Sequence, residues 1–116
     1  MDTSLEYVDM CNCKEIKHLY WEICEKDPET DKNFWGYYSL GETWLPRQDQ
    51  LQKALGWDSY ELIYSFNKFC RGDSGMYGER GFLTENGHNY SMEQLWLIFV
   101  MHELHNKVWN GEMWTK

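Results

Sequence analysis

Apolar residues recur with a helical period over much of the chain. Near the start, Leu5, Val8, Ile16, Leu19, Tyr20 and Ile23 fall at spacings compatible with one helical face. Thr3 followed by Glu6 has the spacing of a capping box, in which a hydroxyl and a carboxylate satisfy amides left free at a helix start. A first helix is therefore predicted from about Ser4, failing before Pro28 in the polar stretch from Lys26 to Lys32. Phe34 to Tyr38 and Glu42 to Leu45 are short, aromatic or β-branched runs, and Ser39-Leu40-Gly41 between them predicts a small hairpin. Pro46 suits the first position of a short helix over about 47–55, with Leu51 and Leu55 stacked four apart and Gly56 at its end.

Asp58 with Glu61 is a second cap signature, and Leu62, Ile63, Phe66 and Phe69 form a stripe behind it that Gly72 stops. From Gly72 to Tyr90, glycines at 72, 75, 78, 81 and 87 break any periodicity, which predicts a long loop of the kind that often carries function. Ser91 with Gln94 caps a last helix whose run from Leu95 to Met101 is apolar on every side, as expected of a helix at the centre of a core. Val108-Trp109 and Met113-Trp114 flank Asn110-Gly111, a pair that suits a tight hairpin turn. The pattern predicts a helix-dominated α+β fold with about four helices and one or two short β-hairpins, in one small domain over 1–116.

Charge narrows the function classes. Nineteen acidic residues against eleven basic ones give a formal charge of −8, which opposes direct binding to nucleic acid or an anionic membrane and favours basic partners. Residues 1–33 hold nine of the acids and four lysines, so a negative N-terminal face is expected. The start of the chain lacks the basic and apolar run of a secretory signal, and no apolar segment reaches the roughly 18 residues of a membrane span. A cytoplasmic location follows as the expectation, with Cys11, Cys13, Cys24 and Cys70 as reduced thiols.

Candidate chemistry is thin. Cys11, Cys13, His18 and Cys24 are zinc-type ligands, but on a continuous helix Cys11 and Cys13 point apart, and Cys11 lies about 10.5 Å along the axis from His18. His102 and His105 sit three apart, a spacing that can place both on one metal completed by His88 or a carboxylate, yet Asn106 stands where the second histidine of a zinc peptidase motif belongs, and the alternative is a solvated last helical turn. Arg71-Gly72-Asp73 falls at a helix stop and is read as coincidence. The glycines from 72 to 81 lack the Lys-Ser/Thr ending of a phosphate loop. No nucleophile or acid/base constellation stands out, so the expectation is a protein that is not an enzyme and has no cofactor or metal.

Seven tryptophans and eight tyrosines are the strongest anomaly, because both combine large apolar area with a hydrogen-bonding edge and are enriched at binding hot spots. Trp35, Tyr37, Tyr38 and Trp44 on the predicted strands are the candidate aromatic patch or aromatic-lined pocket, and Glu25, Asp27, Glu29 and Asp31 the candidate acidic face.

The stretches Thr43-Trp-Leu-Pro-Arg-Gln-Asp-Gln-Leu-Gln52, Ser91-Met-Glu-Gln-Leu-Trp-Leu-Ile-Phe-Val-Met101 and Lys107-Val-Trp-Asn-Gly-Glu-Met-Trp114 resemble a pattern in short uncharacterised proteins of bacteriophages and mobile elements of Gram-positive bacteria. The resemblance covers about half the chain and brings no activity with it. It implies a small accessory protein of the bacterial host's cytoplasm that binds a host or phage protein, such as a basic nucleic-acid-binding protein of a defence system. The alternatives are a module that sequesters a small ligand or nucleotide by stacking on Trp35, Tyr37, Tyr38 or Trp44, and a homo-oligomeric assembly protein.

Overall fold

The computed structural model describes residues 2–22, 38–40, 43–71 and 90–116. Five helices and two short antiparallel hairpins are present among them, a helix-dominated α+β arrangement. The predicted 72–90 loop, but for Tyr90, and the polar stretch around Pro28 lie outside these residues.

The first helical segment is two helices, not one. α1 spans Leu5–Cys11 and α2 spans Lys14–Tyr20. Asn12 leaves the helical region at φ −84°, ψ 67°, and Cys13 is extended, so the axis is broken between them. The start is also one residue later than the Thr3 cap predicts, because the Ser4 hydroxyl accepts the Tyr7 N–H at 3.2 Å. That break redraws the buried face: Tyr7, Met10, Cys11 and Ile16 are enclosed, whereas Leu5 is 80 % exposed.

β1 (Tyr38–Leu40) pairs with β2 (Thr43–Leu45), with Tyr38 opposite Leu45 and Leu40 opposite Thr43. The predicted hairpin is there, but Ser39 and Leu40 belong to the strand and not to the turn. α3 (Gln48–Leu55) follows, its start held by the Gln50 carboxamide, which accepts the Arg47 N–H at 2.9 Å. Pro46 precedes that start. Gly56, at φ 70°, ends α3 in the left-handed region that glycine adopts without a Cβ penalty.

α4 (Ser59–Arg71) begins where Asp58 accepts the Glu61 N–H at 2.9 Å. α5 (Met92–His105) is capped at both functional ends of a true capping box: the Ser91 hydroxyl accepts the Gln94 N–H and the Gln94 carboxamide accepts the Ser91 N–H. Residues 94–101 of α5 are all buried, as its uninterrupted apolar run predicts, and α3, α4 and the C-terminal hairpin pack around it. Phe66 stacks on Trp96 at 3.9 Å between ring centroids, and the Phe99 ring meets Trp57, Phe66, Phe69 and Trp96.

Asn106 ends α5 at φ 54°, a left-handed conformation that asparagine tolerates. The chain then turns into β3 (Val108–Trp109), which pairs with β4 (Trp114–Thr115). The turn is one residue further on than an Asn-Gly centre implies. The Asn110 side chain closes it by accepting the N–H groups of Glu112 and Met113 at 2.8 and 2.9 Å, while Gly111 takes φ 100°.

Three long-range contacts anchor the N-terminal helices to this core. The buried Tyr7 hydroxyl donates to the Pro46 carbonyl at 2.7 Å. The Trp114 indole N–H donates to the Met10 carbonyl at 2.9 Å, satisfying an acceptor that the end of α1 leaves open. Lys107 reaches Glu15 of α2 in a largely buried ion pair with Nζ–Oε2 2.5 Å. No described helix is long and apolar enough to cross a membrane.

Candidate functional site

Two aromatic surfaces built from described residues have the chemistry of recognition. The first is a pocket of about 280 Å³ between α2 and β2, lined by Cys11, Ile16, Lys17, Tyr20, Trp21, Thr43 and Trp44. Trp44 does not stand out as an exposed patch: at 6 % exposure it is part of the wall, its ring 5.4 Å from that of Tyr20. Trp21 meets Tyr20 edge to face at 6.4 Å and leaves more than half of its own surface to solvent. The pocket thus offers aromatic faces with one ammonium group, Lys17, at its edge.

The second surface is the outer face of α4. Leu62, Phe66 and Phe69 pack inward at positions i, i+4 and i+7, which turns positions 60 and 64 away from the core and leaves position 63 at the edge of the packed stripe. Those positions are Tyr60, Ile63 and Tyr64, at 73 %, 68 % and 50 % exposure. Ile63 is therefore not part of the buried stripe that the sequence pattern assigns it to. The Tyr60 and Tyr64 rings stack at 5.9 Å with 7° between planes, and the Lys68 ammonium sits 5.0 Å over the Tyr64 ring. Stacking and the cation–π contact stiffen both tyrosines before any partner arrives, which lowers the ordering entropy a docking event would otherwise spend.

Of the sequence-predicted site residues, Glu25, Asp27, Glu29, Asp31, Trp35 and Tyr37 lie outside the described residues, as do Cys24, Gly72, Asp73 and His88. Tyr38 is placed by its backbone alone, opposite Leu45. The cysteines do not gather: Cys11 is buried beside Tyr7, the Cys13 thiol donates to the Met10 carbonyl at 3.7 Å, and Cys70 is buried at the end of α4. Burial pushes the Cys11 thiol far above its ordinary range and the Cys70 thiol up to about 11, so both are neutral and poor nucleophiles at neutral pH. His18 pairs with Glu22 at 2.7 Å and His102 with Glu103 at 3.3 Å. Among the described residues no three His, Cys, Asp or Glu side chains converge as metal ligands.

The sequence reading missed the α4 face. Its signal was present in Tyr60 and Tyr64, four apart and opposite Leu62, Phe66 and Phe69, with Ile63 between the two sides. Compared with protein-family models, curated proteins and solved structures, the chain matches none.

Proposed function

We propose that the protein is a non-catalytic binding protein of phage or mobile-element origin that docks on another protein through the outer face of α4. The observation that carries this reading is the trio Tyr60, Ile63 and Tyr64, each at least half exposed on one face of a thirteen-residue helix. Spacing of i, i+3 and i+4 is how a helix presents anchors to an apolar groove, and tyrosine is among the residue types enriched at hot spots. The formal charge of −8 makes two copies of this chain repel and favours a partner with a basic rim around its groove. Such a partner fits a host nucleic-acid-binding protein, whose inhibition or recruitment is the biological role we assign.

The test is differential capture from a nuclease-treated bacterial lysate by the tagged wild type and by Y60S/I63S/Y64S. These side chains are exposed, so the triple variant retains its urea midpoint. A protein held stoichiometrically by the wild type and lost from the folded variant supports the proposal. Equal recovery by both overturns it.

A second reading rests on the pocket of Tyr20, Trp21, Trp44 and Lys17, whose aromatic faces and ammonium group suit a stacked base or other planar anion. Tryptophan fluorescence unmoved by a panel of nucleotides at millimolar concentration removes that reading.

A further inference from the structure

In a chain with nineteen acidic side chains, a groove among the described residues gathers basic ones. Lys14, Glu15 and His18 of α2, His105 at the end of α5, Lys107 at the start of β3 and Lys116 after β4 line an open cavity of about 580 Å³. These residues come from separate parts of the sequence and are brought together by the fold. Three ammonium groups face one carboxylate, which leaves two net positive charges before either imidazole is counted.

That single carboxylate is already engaged. Glu15 is 8 % exposed and accepts from Lys107 in the ion pair that pins the C-terminal hairpin to α2. The pair forms a fixed floor, and Lys14 and Lys116 are exposed at the groove with no ion-pair partner among the described residues. His105 adds an imidazole at the rim, whereas the His18 Nε2 is taken up by the Glu22 carboxylate at 2.7 Å beside the groove. Two ammonium groups, of Lys14 and Lys116, without acceptors among the described residues are the recognition chemistry of an oxyanion.

We propose that this groove binds a small molecule carrying two or more phosphate groups. Its volume lies within the roughly 300–1,000 Å³ of small-molecule sites. The negative field of the remaining surface selects for size: a long nucleic acid must lie along acidic surface beyond the groove, whereas a compact polyphosphate does not. The site is separate from the α4 face and does not depend on the protein-binding reading.

The experiment is titration of ¹⁵N-labelled protein with inorganic phosphate, pyrophosphate and tripolyphosphate at fixed ionic strength, followed by NMR, with a single-stranded DNA oligonucleotide in parallel. Saturable shifts confined to residues 14–18, 105–107 and 114–116, with affinity rising at least tenfold from phosphate to tripolyphosphate, are expected. K14Q/K116Q should weaken tripolyphosphate binding at least fivefold with the urea midpoint unchanged, since neither lysine holds the fold. Diffuse shifts that track salt alone, equal binding by the double variant, or tighter binding of the oligonucleotide than of tripolyphosphate would each overturn the proposal.

Discussion

Replacing Lys107 with methionine should destabilise the protein through a carboxylate that it leaves behind. Methionine keeps most of the aliphatic length that covers α2, so the change removes mainly the ammonium group from an ion pair whose two side chains are 20 % and 8 % exposed. Exposed pairs contribute about 0–1 kcal/mol, and breaking a fully buried pair costs about 3–5 kcal/mol because one charge stays buried without its partner. With Lys107 partly solvated, the expected loss is about 2 kcal/mol. At a urea dependence of about 2 kcal/mol per molar, the midpoint should fall by about 1 M.

The double variant E15Q/K107M should recover at least half of that loss, because no charge is then buried. The pH dependence has a definite sign. Burial alone raises the Glu15 pKa, but the hydrogen bond and charge of Lys107 outweigh it and hold the carboxyl below its ordinary value of 4.5. A depressed carboxylate contributes its full stabilisation above that ordinary value and loses it as pH falls through the folded-state value. The gap between wild type and K107M should therefore be full at pH 7 and close as pH falls below 4.5 through the folded-state value. A loss under 0.5 kcal/mol at pH 7, or a gap that persists unchanged in acid, refutes the assignment of this ion pair as the anchor of the hairpin.

Three further outcomes test the packing. Phe99→Ala removes a fully buried ring that meets four other aromatic rings, and calorimetry should show a loss of about 3–5 kcal/mol, or no cooperative transition at all. Tyr7→Phe leaves the Pro46 carbonyl without the buried hydroxyl that donates to it, and urea unfolding should register about 1–2 kcal/mol. In a C13S/C24S background, Cys11 and Cys70 should stay unreactive toward a disulfide reagent at pH 8 while folded and react fully once unfolded, as their burial and raised pKa values require.

What was legible in the sequence follows from the range of each signal. The capping box at Ser91 and Gln94 and the unbroken apolar run behind it are local and mutually consistent, and α5 lies at the centre of the core as they imply. The break between α1 and α2 was not legible, because Asn12 and Cys13 are only weakly unfavourable in a helix and the departure depends on where Met10 and Ile16 must pack. In α4 the two apolar stripes lie side by side. Spacing alone joins Ile63 to Leu62, and only the position of Trp96 and Phe99 decides which stripe is inside. For Trp44 the sequence left open an exposed patch or an aromatic-lined pocket, because strand aromatics show one face as readily as the other; Tyr20 and the neighbouring core leave it the second of these. The basic groove leaves no local trace, since Lys14, His105 and Lys116 each sit in segments of mixed charge.

The most direct measurement of the central claim is site-specific photo-crosslinking in bacterial cells that express the protein, with a photoreactive phenylalanine at position 63 and, as the control, at exposed position 53 on α3. The account predicts one discrete adduct from position 63, of a mass that is not twice that of the chain, and none from position 53. An adduct formed equally from both positions, or from position 63 only with a second copy of the chain, would contradict it.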